Sequence, residues 1–185
     1  APTQIVIDPR MATVDSDRHA DKRFMQIPEL NTKTASPEWS EQWEKYADRA
    51  AKSIDVLSGF SEAVIAREIA SNLPEGSTLF VSSSRPIRDL EGFGAPRSGV
   101  RTYANRGLAG IDGNISTALG IASASKQTFA VLGDLSFLHD LTGLIHREDI
   151  NCCFIVINND GGGIFSTLPQ RGVDGFESVF GTPHG

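Results

Sequence analysis

The 185 residues are 39% hydrophobic and 22% charged and carry a net charge of −6, which suits one globular domain of ordinary size with room for an appended segment and excludes a disordered chain. The negative balance argues against nucleic acid as a partner, and a small anionic ligand would need local positive groups or a metal to offset the field. Cys152 and Cys153 stand side by side in an apolar run, a spacing that suits neither a disulfide framework nor a zinc site and reads as two small buried hydrophobes in a reducing compartment. No apolar stretch reaches the roughly 18 residues of a membrane span, and no signal-peptide pattern opens the chain, so it reads as cytoplasmic.

Residues 1 to about 31 hold a short strand-like "TQIVID" and then a polar stretch without period, which reads as a linker or the tail of a preceding domain. At Ser36 the texture changes. Ser36 can cap a helix, Pro37 suits a first turn, and Trp39, Trp43, Tyr46, Ala47, Ala50 and Ile54 recur at helical spacing. A second helix is expected from Ser61, with Phe60 and Ile65 spaced as a hydrophobic staple and Ile65, Ile69 and Leu73 as its buried stripe. "TLFVSS" (78–83) reads as a strand, "SSRPIRDLEGFGAPRSG" as a polar loop and "RTYAN" as a short strand. A Gly-rich turn, "RGLAGIDG", leads to a small-residue helix, "NISTALGIASAS". The strand "TFAVLG", the helix "SFLHDLTGLIHR" and the strand "CFIVIN" follow. Nearly continuous apolar strands alternating with helices predict an α/β fold, a parallel sheet covered on both faces, with ligands beyond the carboxyl ends of the strands.

That topology brings two motifs to one edge. Asp134 in "GDLSFLHD" follows one strand, and Asn158 and Asn159 in "NNDGGGIFSTLPQ" close the next, Asn159 lying 25 positions after Asp134. Backbone amides at the helix start after Gly133 can receive an anion, but an aspartate beside it would repel it unless a cation lay between. Magnesium could take oxygens from Asp134, Asn159, a glycine-loop carbonyl, phosphate and water. Taken singly, the aspartate is equally a helix cap and "NNDGG" equally turn chemistry. Their pairing across one β-α-β unit is what favours a magnesium diphosphate site.

The pair resembles the cofactor motif of thiamine-diphosphate-dependent enzymes, a GDG followed some 24 to 30 residues later by NN. Here "GDLS" replaces the usual "GDG". With "YANRGLAGIDGNISTALGIA", "NNDGGGIFSTLP" and "FGTPHG", the chain from about Thr78 onward is similar to one branch: the 2-succinyl-5-enolpyruvyl-6-hydroxy-3-cyclohexene-1-carboxylate (SEPHCHC) synthases of menaquinone biosynthesis. The resemblance implies a diphosphate-binding domain over residues 36–185, with 1–35 the tail of a middle domain and its linker. It implies Asp134, Asn159 and the carbonyl of Gly161 as ligands of Mg2+, for which Mn2+ can substitute. It further implies Gly133, Leu135 and Ser136 as the turn that holds the diphosphate. Ile111 matches the apolar residue that bends thiamine so that its 4′-imino group meets C2 of the thiazolium. Ser84, Arg88 and Arg106 match substrate-contacting positions, and Ile164, Phe165 and Leu168 the apolar wall beside them.

By the same resemblance the reaction decarboxylates 2-oxoglutarate and adds the succinyl unit to isochorismate. Both are dicarboxylates, which guanidinium groups bind in bidentate fashion; an isolated arginine would read instead as a surface ion pair. The activating glutamate of the family comes from a pyrimidine-binding domain of a second subunit, and nothing here resembles that domain. The chain also ends before the closing elements the resemblance leads one to expect. The expectation is therefore the C-terminal part of a homodimeric or homotetrameric synthase, inactive alone. Another thiamine-diphosphate carboligase, acetolactate-synthase-like, or a non-catalytic nucleotide-binding α/β domain are the alternatives. His139 and His146, seven apart, lack a third ligand, His19 sits in the unpatterned segment and His184 has no assigned role. There is no Walker loop, nucleophile elbow or dinucleotide fingerprint.

Overall fold

A computed structural model describes residues 2–9, 19–29, 36–105, 107–108, 110–145 and 150–185. The chain divides into two compact units, Ala1–Ala47 and Asp48–Gly185. In the first, β1 (Ile5–Ile7) pairs in parallel with β2 (Lys22–Phe24). The second strand falls where no periodicity was expected. "KRF" carries no pattern, and the pair is held by main-chain bonds and by Asp21, whose carboxylate accepts the Gln4 N–H at 2.7 Å. The helix α1 (Pro37–Asp55) starts as its sequence predicts, with the Ser36 hydroxyl accepting the Trp39 N–H. Its aromatic stripe is not buried: Trp39 and Trp43 are 57% and 59% exposed.

In the second unit, α2 (Glu62–Asn72) is capped by the Ser61 hydroxyl on the Val64 N–H. The expected staple does not form, because Phe60 is 96% exposed; Gly59 beside it has φ +88° and turns the chain away. The strands β3 (Thr78–Val81), β4 (Arg101–Tyr103), β5 (Thr128–Gly133) and β6 (Cys152–Ile157) form one parallel sheet in the order β4-β3-β5-β6. The expected polar loop after β3 is in fact a helix, α3 (Arg85–Phe93). Pro86 fits its first turn, and Ile87 and Leu90, three apart, pack on the core; a stripe that narrow is masked in the sequence by flanking charge. α4 (Asn114–Ser123) follows the Gly-rich turn. The helix after β5 begins two residues earlier than expected and is short. α5 (Asp134–His139) gives way to a 3-10 turn at Leu141–Leu144.

Alternation along the strands builds two cores. Phe80, Ala130 and Leu132 face Ile115, Ala118 and Leu119 of α4, while Leu79, Val81 and Val131 face Leu73, Ile69, Ile87 and Leu90 from the α2–α3 side. The connection after β3 leads to β4 on one side, and that after β5 leads to β6 on the other. Their loops therefore diverge and leave a crevice beyond Val81 and Gly133, where open α/β sheets bind ligands. No helix among the described residues is long and apolar enough to cross a membrane.

Phe80 is fully buried in the first core; Phe80→Ala is expected to lower unfolding stability by about 3–5 kcal/mol, read by urea denaturation. The two cysteines do not share one environment. Burial, with Cys153 adding to it, pushes the Cys152 thiol up to about 11, whereas Cys153 is exposed. The higher value leaves Cys152 almost wholly protonated at pH 8.5. Iodoacetamide should label Cys153 well before Cys152 at that pH, as read by mass spectrometry of the peptides.

Candidate functional site

The crevice holds a cavity of about 190 Å³. Four segments wall it: Ser83–Pro86 after β3, Ile111 before α4, Gly133–Ser136 after β5, and Asn159 with Gly161–Phe165 after β6. Ten expected site residues thus meet there: Ser84, Ile111, Gly133, Asp134, Leu135, Ser136, Asn159, Gly161, Ile164 and Phe165. The registers explain the meeting: β5 and β6 end level, Gly133 opposite Ile157, and β3 ends opposite Val131, two residues short, so that the residues following Val81 reach the same edge. Arg88 and Leu168 stand outside this lining. Arg88 is exposed and its Nη1 donates to the Ser84 carbonyl at 2.7 Å, and Leu168 is 40% exposed. Arg106 and His146 lie outside the described residues.

Asp134, 5% exposed, organises the centre. Its Oδ1 accepts the Leu135 N–H at 2.9 Å, and its Oδ2 accepts the Gly161 N–H at 2.7 Å and bonds His184 Nε2 at 2.9 Å. A carboxylate offers about four acceptor directions, so three are used and one on Oδ1 is left. The Asn159 amide donates through Nδ2 to Glu62 Oε1 at 2.6 Å, which leaves its Oδ1 as the free end. Among the described residues no three His, Cys, Asp or Glu side chains gather to hold a metal. The expected donors are instead one carboxylate, one amide oxygen and one carbonyl. That set suits a hard cation which draws its remaining oxygens from phosphate and water.

A second cluster fixes the other wall. Asn114 Nδ2 donates to the Ile111 carbonyl and to Ser136 Oγ, both at 2.8 Å, and Ser136 Oγ donates to the same carbonyl at 3.3 Å. The start of α4 is thereby tied to α5, and Ile111 is held at the cavity. Asn114, 1% exposed, keeps its Oδ1 buried without a partner, an acceptor open to a water or a ligand donor.

The glycine run is dictated by crowding. Gly161 has φ +119°, and a Cβ there would stand 2.2 Å from the Gly181 carbonyl oxygen and 2.7 Å from that of Thr182. Among the described residues the non-glycine positive-φ positions are Ser84, Asp160 and Thr182, at +76°, +63° and +45°. All three belong to segments at or against the cleft, where backbone strain gathers in functional sites. Asp160 accepts the main-chain N–H groups of His184 and Gly185, at 2.9 and 3.0 Å, and they hold its carboxyl below the usual range.

Sequence reasoning missed Glu62, Arg85 and Asn114 and gave His184 no role. Glu62 carries only a helix-start signal, and its partner lies 97 positions away. Arg85 Nη2 meets Glu62 Oε2 at 3.0 Å and Asp89 Oδ1 at 2.9 Å. Burial raises the Asp89 carboxyl above its ordinary value, partly opposed by Arg85.

Fold and cleft together define an α/β domain with a ligand crevice at the switch point of a parallel sheet. No protein-family model matches the chain. It is 50% identical over 146 residues to the SEPHCHC synthase of Thermobifida fusca, an alignment covering 75% of this chain and 26% of the relative. It is 40% identical over 186 residues to that of Bacillus cytotoxicus, covering 96% and 32%, and 38% identical over 205 residues to that of Corynebacterium glutamicum, covering 98% and 36%. The chain belongs to the SEPHCHC synthase family and spans between 26% and 36% of the length of these curated relatives.

Because a backbone oxygen, not a flexible side chain, meets any Cβ at position 161, Gly161→Ala should destabilise the domain by about 1–3 kcal/mol. Thermal denaturation gives the loss, and hydrogen exchange should place the lost protection at the Gly161 and Gly162 amides.

Proposed function

We propose that this chain is the C-terminal, diphosphate- and metal-binding part of a thiamine-diphosphate-dependent SEPHCHC synthase. The whole enzyme decarboxylates 2-oxoglutarate and adds the succinyl unit to isochorismate in menaquinone biosynthesis. The observation that carries the reading is the meeting of Asp134, Asn159 and Gly161 in one crevice with the apolar Ile111, Ile164 and Phe165. The donor chemistry supports it as well, with one acceptor direction free on Asp134 and the amide oxygen free on Asn159.

Each residue has a task in this reading. Asp134, Asn159 and the Gly161 carbonyl hold Mg2+, or Mn2+ in its place, and the turn Gly133, Leu135 and Ser136 receives the diphosphate. When bound, the thiamine supplies the electron sink that makes loss of carbon dioxide from a 2-oxo acid feasible. Ile111, pinned through its carbonyl by Asn114 and Ser136, would give the thiamine an apolar support. Ile164 and Phe165 keep water from the reacting face. Ser84, Arg88 and Arg106 bind substrate carboxylates, with Leu168 beside them. Residues 1–35 are the tail of the middle domain. The activating glutamate comes from the pyrimidine-binding domain of a second subunit, so the active assembly is a homodimer or homotetramer in the cytoplasm and this chain alone is inactive.

Calorimetry of the full-length synthase tests this. Thiamine diphosphate is expected to bind only with Mg2+ present, and Asp134→Ala to abolish binding while the protein still melts cooperatively. Full-length protein that takes up no thiamine diphosphate under those conditions would sink the reading.

A further inference from the structure

The expected metal donor Asn159 is not held by its own loop. Its Nδ2 donates at 2.6 Å to Glu62, in the first turn of α2, and Glu62 is held in turn by Arg85, in the first turn of α3. Arg85 is shared with Asp89, which is 2% exposed and keeps its Oδ2 without a partner, so the guanidinium is anchored from inside the domain. Gly163 also approaches the amide closely: a Cβ there would lie 2.5 Å from Asn159 Nδ2. The chain Asp89–Arg85–Glu62–Asn159 thus joins two helix starts to the end of β6.

An asparagine amide has two nearly isosteric ends, and only the oxygen end can ligate a cation. A carboxylate accepts and never donates when ionised, so Glu62 settles which end of Asn159 is turned toward it. We infer that Glu62 is a positioning residue that presents the Asn159 oxygen to the metal, with Arg85 fixing the Glu62 carboxylate. The inference rests on the thiamine-diphosphate reading above and adds to it a partner outside both motifs. Loss of such an outer partner commonly costs about 10–100-fold in metal affinity.

The test uses Mn2+ in the full-length synthase with saturating thiamine diphosphate, titrated by electron paramagnetic resonance. Glu62→Ala should weaken Mn2+ binding by about 10–100-fold. Glu62→Gln, whose carbonyl still accepts the Asn159 N–H but which lacks the charge paired with Arg85, should weaken it less. In a background of Asn159→Ala the Glu62→Ala change should have no further effect on Mn2+ binding, since there is no amide left to orient. A general structural role would lower the melting temperature and leave Mn2+ affinity within twofold of the parent, and that result in Glu62→Ala overturns the inference. Should Glu62→Ala fail to fold, Glu62→Leu, which has no oxygen to accept the Asn159 N–H, decides in its place, with Mn2+ affinity within twofold of the parent overturning the inference. Absence of Mn2+ binding in the parent protein would instead overturn the cofactor reading.

Discussion

A buried carboxylate must be answered by donors or by a cation, and the carboxyl edge of this sheet is arranged around how Asp134 is answered. Two backbone amides and one imidazole nitrogen converge on it. The bond from Gly161 fastens the loop after β6 to the loop after β5, and the bond from His184 brings the far end of the described chain against both. Burying an ionised carboxylate is costly unless it is paired, so these three contacts decide the path of the glycine run. The positive φ of Asp160 is the local strain that accompanies that path.

The sheet sets where this can happen. Connections leaving β3 and β5 in opposite directions open a gap that no side chain of the core needs to fill. The two faces of the sheet are packed separately, α4 and α5 on one side and α2 and α3 on the other. Both packing layers nevertheless send residues to the same gap: Asn114 and Ser136 from one, Glu62 and Arg85 from the other. The crevice is therefore braced from both faces, by neutral amide and hydroxyl bonds on one wall and by a charged chain on the other.

The sequence carried the sheet because buried parallel strands leave a strong signal. "TFAVLG" and "CFIVIN" are apolar runs of strand length; the first coincides with its strand, and the second lies one residue further along the chain than the observed Cys152–Ile157. The motif after each was legible for the same reason, since a strand end fixes which residues share an edge. α3 was obscured because its two core contacts are surrounded by arginine, aspartate and glutamate, and β2 because three residues have no periodicity to show. Phe60 was misjudged because a spacing rule ignores the turn that Gly59 makes. Glu62 was out of reach, since its significance lies in a partner that only folding brings near. Arg88 and Leu168 could be placed by resemblance alone; nothing in their spacing puts them in the cleft, and neither is among the residues that line the cavity.

The bond between Glu62 and Asn159 closes a loop of nearly a hundred residues, and this has a kinetic meaning. Contacts of such separation form late, because the entropy of closing the intervening chain must be overcome first by other interactions. An α2 that is formed but undocked, or a β5–β6 pair that has assembled without the α2–α3 layer, holds the Asp134 half of the edge without the brace on Asn159. By that reasoning the brace between Glu62 and Asn159 is expected to close late in folding, when the two layers meet on the sheet.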